Sequence, residues 1–136
     1  MIEYSTNRNI DLDTFIGVLR RSTLGERRPL DDRASMAGAL AGANLMATAW
    51  DGSRLVGVAR SVTDFSLCCY LADLAVDQAY QRQGIGRSLV EQTRGRLGPR
   101  CLLVLLSAPA AVEYYPRLGF DQHPSAWTLP ADRPLS

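Results

Sequence analysis

Residues 71–90 read LADLAVDQAYQRQGIGRSLV: an apolar strand run, a short polar turn, then the step Gln81-Arg82-Gln83-Gly84-Ile85-Gly86, which opens directly into a helical pattern. A strand that hands over to a helix through glycines leaves the first helical N–H groups unpaired and clustered, and the helix dipole adds positive character there. The stretch therefore predicts a site for a phosphate-bearing ligand. Arg82 and Arg87 flank it and can add charge-assisted contacts to the same anion.

Two common phosphate motifs do not fit. The Walker pattern needs Gly-Lys-Ser/Thr, and every basic residue among the 15 Lys+Arg is arginine. The dinucleotide fingerprint needs a third glycine where Leu89 stands, and an opening βαβ unit where this chain places helices first. The missing lysine also excludes Schiff-base chemistry.

At 136 residues the chain suggests one domain with a self-sufficient core. Its 46% hydrophobic and 21% charged residues are an ordinary globular balance. The formal net charge of +1 provides no global field for nucleic acid or anionic lipid, so an anion site must be local. Cys68, Cys69 and Cys101 are odd in number and lie in apolar runs rather than at metal-ligand spacing, which predicts buried thiols in a reducing compartment and no metal. The N-terminal residues MIEYSTNRNI lack the positive segment and apolar core of a signal peptide, and no apolar stretch reaches membrane-spanning length. The expected location is the cytoplasm, with no membrane partner.

Residues 2–6 read as a short strand, and Asp11 or Asp13 as the cap of a helix running to about Leu24. A loop follows over residues 25–29, then a second helix started by Asp31 and Asp32. Residues 45–50 and 54–62 read as strands joined by the turn signal Asp51-Gly52. The run over residues 67–76 is almost unbroken in apolar character and suits an interior strand covered on both faces. The helix after Gly84 ends at Gly98-Pro99, and residues 101–106 read as a second buried strand. Pro109 suits the first turn of a helix through Tyr115, which Pro116 should kink or shorten. Short strands are expected at residues 118–120 and 126–129, before a mobile tail. The sum is an α/β domain with a mixed central sheet flanked by about four helices.

Asp73-Leu74-Ala75-Val76 followed by Gln81-Arg82-Gln83-Gly84-Ile85-Gly86-Arg87-Ser88-Leu89 resembles the acetyl-CoA-binding signature of the GNAT superfamily of N-acetyltransferases. That pattern is Gln or Arg, two residues, Gly, one residue, then Gly or Ala, after such a strand. Ala111-Val112-Glu113-Tyr114-Tyr115-Pro116-Arg117-Leu118-Gly119-Phe120 resembles the same family's Ala-x-x-Phe-Tyr-x-x-x-Gly-Phe segment. The resemblance implies a single-domain GNAT-like fold over residues 1–136. It implies acetyl transfer from acetyl-CoA to a primary amine, on a small molecule or a protein. It also implies that the backbone of Leu74, Ala75 and Val76 meets the pantetheine arm and that the amides of Gln81 to Ser88 cradle the pyrophosphate. Tyr115 would lie near the thioester sulfur and Tyr114 would pack.

The chemistry needs a base, oxyanion donors and an acid. An amine with a pKa of about 10.4 must lose its proton before it attacks, directly or through water. Asp73, an acid in an apolar strand, is a candidate base that could equally fasten a neighbouring loop. The Val76 N–H is the candidate oxyanion donor. Tyr115 is the candidate acid for the departing thiolate. Glu113 reads as surface, and His123 as a loop histidine that could also act as base. Ala108 stands where many members carry Asn, and Pro116 follows the tyrosine directly. These departures motivate an alternative reading as a CoA-binding regulatory or interaction module. Acceptor walls are expected at residues 25–32 and 122–127, with Asp31, Asp32, Asp64 and Asp121 able to attract a cationic amine. Exposed strand edges make a homodimer possible.

Overall fold

In the computed structural model, which describes residues 1–136, five strands form one sheet in chain order. They are β1 Ile2–Ser5, β2 Leu45–Asp51, β3 Arg54–Thr63, β4 Cys68–Val76 and β5 Leu102–Val104. The first four strands pair antiparallel and β4 pairs parallel with β5, so the sheet is mixed, as the order of elements predicts. The antiparallel β2–β3 pair closes through a tight turn with Gly52 at φ +59°. The parallel pair needs a crossover, which α3 Ile85–Arg94 supplies. With α1 Leu12–Arg21, α2 Arg33–Gly42 and α4 Tyr114–Arg117, the architecture is α/β with four α-helices. Length suggests one domain; the residues gather into two units, Met1–Leu106 and Ser107–Ser136.

In the first unit, Asp11 caps α1 by accepting the Thr14 N–H at 2.8 Å, and Asp32 caps α2 by accepting the Ser35 N–H at 3.1 Å. The first helix stops at Arg21 rather than near Leu24. Ser22 ends it, its Oγ donating to Leu19 O and accepting from Leu24 N–H, and so starts a 3₁₀ turn over Thr23–Arg27 where the sequence suggests a loop. Phe15, Val18 and Leu19 of α1 are fully buried against Met36, Trp50, Leu55, Val58 and Ala75. Burial of each large apolar side chain contributes about 1.5–3 kcal/mol.

β4 alternates: Cys69, Leu71, Asp73 and Ala75 are buried, while Cys68 and Tyr70 are exposed. It is therefore not covered evenly on both faces. The exposed face carries apolar and small residues, which hid the alternation in the sequence. β5 keeps only three residues, and Leu102 and Val104 are exposed because it ends the sheet. Of the three free thiols only Cys69 is buried; Cys101 is partly buried and Cys68 exposed. No helix is long and apolar enough to cross a membrane.

The second unit contains a 3₁₀ turn at Pro109–Ala111 and the four-residue α4. The expected helix is thus broken before Pro116, which itself sits in the first turn of α4, where its missing N–H costs nothing. No strand forms at residues 118–120 or 126–129. Trp127 is 93% exposed, and the prolines at 124, 130 and 134 interrupt any ladder.

The packing of α3 on the sheet rests on Gly57. A Cβ there would lie 3.0 Å from Leu89 Cδ1 and 3.2 Å from Ile85 Cγ2. Gly57→Val should therefore lower unfolding free energy by about 1–3 kcal/mol, measured by urea denaturation.

Candidate functional site

The glycine step is held in place before it begins. Asp77, buried at the end of β4, accepts the Ala79 N–H at 2.9 Å, Arg21 Nε at 2.8 Å and Arg54 Nη2 at 3.0 Å. Its own N–H donates to Val56 O at 2.8 Å, and Val56 is the unmatched residue of a bulge in β3, since Ala49 pairs with Gly57 and Trp50 with Leu55. Burial is the largest single influence on Asp77 and raises its pKa, but the Ala79 N–H and the two guanidiniums together outweigh it and hold the carboxyl below its usual range. Tyr80 then ties the turn to the hairpin, its hydroxyl donating to Asp51 Oδ2 at 2.6 Å.

The chain next turns through two left-handed residues, Arg82 at φ +64° and Gly84 at φ +80°. Glycine takes that conformation without strain, and Gly84 has open space around the missing Cβ. Gly84 is the N-cap of α3 and offers no side chain to cap it. The first intrahelical bond comes from the Ser88 N–H to Gly84 O at 3.1 Å, so the N–H groups of Ile85, Gly86 and Arg87 open outward as a cluster. This is the arrangement from which the sequence predicts an anion cradle, at the start of a ten-residue helix. Gln81, Arg82, Gln83 and Arg87 are exposed around it, and Ser88 is partly so. Arg87 also reaches Glu91 at 3.2 Å.

One edge of β4 lies open beside the cradle. Pairing with β5 stops at Tyr70 and Val104, so β4 has no strand partner on that side from Leu71 to Val76. The Asp77 N–H faces β3, and alternation along the strand turns the N–H groups of Val76 and Leu74 to the open edge. Ala75 faces the other way and is buried. Gln81 Nε2 donates to Val76 O at 3.1 Å, which ties the glycine step to the end of that edge.

Asp73 is 2% exposed and both its oxygens are engaged. Arg28 Nε donates to Oδ1 at 2.7 Å, and Arg60 Nε donates to Oδ2. Neither arginine was singled out in the sequence. The signal was present, because an acid in an apolar strand needs a partner and the β3–β4 hairpin sets Arg60 directly opposite Asp73. Arg28 also lines an open pocket of about 630 Å³, with Arg20, Glu26, Leu30, Asp31 and Gln78 among its other walls. Residues 25–32, expected as an acceptor wall, thus do border a cavity. Asp64 is committed elsewhere: it accepts the N–H groups of Cys68, Leu67 and Ser66, which bring its carboxyl down to about 2.

In the second unit, Tyr115 is half-buried and packs edge-on against Tyr114 and Phe120, at centroid distances of 5.3 and 5.5 Å. Burial, and less so Tyr114, pushes its hydroxyl above the usual value near 10. Glu113 is exposed. His123 is an exposed loop residue whose Nδ1 accepts the Ser125 N–H at 3.1 Å. No group of three or more His, Cys, Asp or Glu side chains is placed to hold a metal ion.

Comparison with known proteins bears on this geometry. Residues 26–127 match the family described as acetyltransferase (GNAT) domain. Over 73 residues the chain is 36% identical to a Glycine max protein named histone acetyltransferase TAP1, a match that spans 52% of this chain and 32% of that one. The chain thus spans about a third of the length of the curated relatives it matches. A protein of meticillin-resistant Staphylococcus aureus described as a probable acetyltransferase superposes with a TM-score of 0.78 at 19% identity, covering 98% of this chain and 100% of that one, which speaks to the fold. The ribosomal-protein-S18-alanine N-acetyltransferase of Escherichia coli superposes at 0.68 with 26% identity, covering 90% and 79%.

Asp77 has a folded-state pKa below its unfolded value of about 3.9, so its stabilisation is present above that pH and is lost as pH falls through the folded value. The stability gap between wild type and Asp77→Asn in urea should therefore be full at pH 7 and shrink below about pH 4. Gly84→Val, forced into φ +80°, should cost about 1–2 kcal/mol of stability and weaken diphosphate binding in calorimetry.

Proposed function

The chain belongs to the GNAT acetyltransferase family, and from that premise we propose that it transfers an acetyl group from acetyl-CoA to a primary amine by direct attack, the acceptor being a small amine or a protein amino group. The observation that carries this reading is the uncapped start of α3 set beside the open edge of β4. The N–H cluster of Ile85, Gly86 and Arg87 suits a diphosphate, with Arg82 available for added charge. The open edge suits the two amides of a pantetheine arm, because Leu74 presents a strand-type donor and acceptor there and Val76 a donor, its carbonyl already accepting from Gln81. The donor set therefore fits acetyl-CoA, which when bound supplies the acetyl group as an activated thioester.

The chain's own residues then divide the work. The cradle and the edge orient the donor. The Val76 N–H, the last on the open edge, donates to the carbonyl oxygen as negative charge develops on it. Tyr115 keeps its proton at neutral pH, since burial raises its pKa, which suits the role of acid for a departing thiolate that the family's motif gives it. Asp73 is not assigned the base, because two guanidiniums occupy its oxygens; the amine's proton passes to water. Pro116 does not disturb the turn that carries Tyr115.

Tyr115→Phe should lower kcat by about 100-fold while acetyl-CoA affinity, measured by calorimetry, stays within about twofold of wild type. Wild type that binds acetyl-CoA tightly yet acetylates nothing in a broad amine panel would instead mark a CoA-binding module that has lost the chemistry.

A further inference from the structure

We infer that Arg28 is a positioning residue that fixes the acceptor-side loop, residues 25–32, to the strand carrying the donor. The inference rests on the transferase reading above and assigns a function to a network that the chemistry itself does not use.

β4 carries a bulge at Ala72. Arg60 pairs with Asp73 and Ser61 with Leu71, so Ala72 has no residue opposite it. A bulge takes a backbone carbonyl out of the ladder, and such a group stays within a fold only if another donor satisfies it. Arg28 is that donor: its Nη2 lies 2.9 Å from Ala72 O while its Nε holds Asp73 at 2.7 Å. Its remaining Nη1 donates to Arg27 O at 3.1 Å, within its own loop. One guanidinium thus binds two adjacent residues of β4 and the backbone of the loop. A lysine ammonium lacks the fork needed to hold Asp73 and Ala72 in that way.

The position of the bond gives it consequence. Arg28 lines the pocket, and its strand partners lie immediately before Leu74 and Val76, which face the open edge. Arg60 completes the link by donating to Asp73 and, through Nη1 at 3.1 Å, to Ala39 O of α2. Asp73 therefore sets the distance between pocket and edge without touching either substrate.

The test uses Arg28→Lys, which keeps the charge, and Asp73→Asn, which keeps the shape. Amide hydrogen exchange over residues 25–32 should speed up at least tenfold in both, with residues 85–90 unchanged. The acceptor KM should rise about tenfold, with kcat and the acetyl-CoA Kd within about twofold of wild type. The pH profile of kcat/KM should keep its shape. Arg33→Ala, which removes an exposed ion pair with Asp13, should change none of these. Unchanged loop exchange, or an unchanged acceptor KM in an active enzyme, overturns the inference alone. A fall in kcat with a flattened acid limb in Asp73→Asn also overturns it and restores Asp73 as the base. Absence of turnover in wild type on every amine, with acetyl-CoA still bound, rejects the transferase reading and this inference with it.

Discussion

The carboxylate of Asp73 ties the loop over residues 25–32 and, through Arg60, helix α2 to the sheet of the first unit. Buried and alone, it would cost several kcal/mol. Arg28 and Arg60 bring it two guanidiniums, and each spends a further N–H on a backbone carbonyl, Ala72 O and Ala39 O. The result joins a pocket loop, two strands and α2 at one point. The bulge at Ala72 and the clamp are mutually dependent, since the bulge frees a carbonyl and the clamp satisfies it. Every basic residue of the chain is arginine, and these sites show what that selects: planar forks that bind two acceptors at once.

The placement of the uncapped helix start follows from the topology. β4 is antiparallel to one neighbour and parallel to the other, so the chain must leave its end through a crossover helix. That helix starts beside the end of β4, and the small face of Gly57 lets it settle close on β3. Because β5 pairs with only the first part of β4, the later part keeps its edge open where α3 begins. Uncapped helix start and extended edge thus arise together from one strand–helix connection.

What could be read from the sequence was what short-range chemistry dictates. The Asp51-Gly52 hairpin, the aspartate caps of the first two helices and the glycine step each depend on a few consecutive residues, and all stand where expected. The misjudged elements depend on distant partners. The apolar run of β4 gave no hint of which face lies exposed, and residues 101–106 looked buried because nothing local shows that β5 ends the sheet. Ser22 diverted the first helix into a 3₁₀ turn through side-chain bonds that periodicity does not encode. At the site, Gly84 was legible, whereas Arg28 was not, because its partners lie 44 and 45 residues away.

Asp77 and Asp73 stand four residues apart on one chain direction, and each gathers its own pair of arginines: Arg21 and Arg54 for the first, Arg28 and Arg60 for the second. No side chain is shared between the two sets. The loop over residues 25–32 and the turn that leads into α3 are therefore fastened through different carboxylates. Loss of Arg28 or Arg60 would thus leave both guanidinium partners of Asp77 in place.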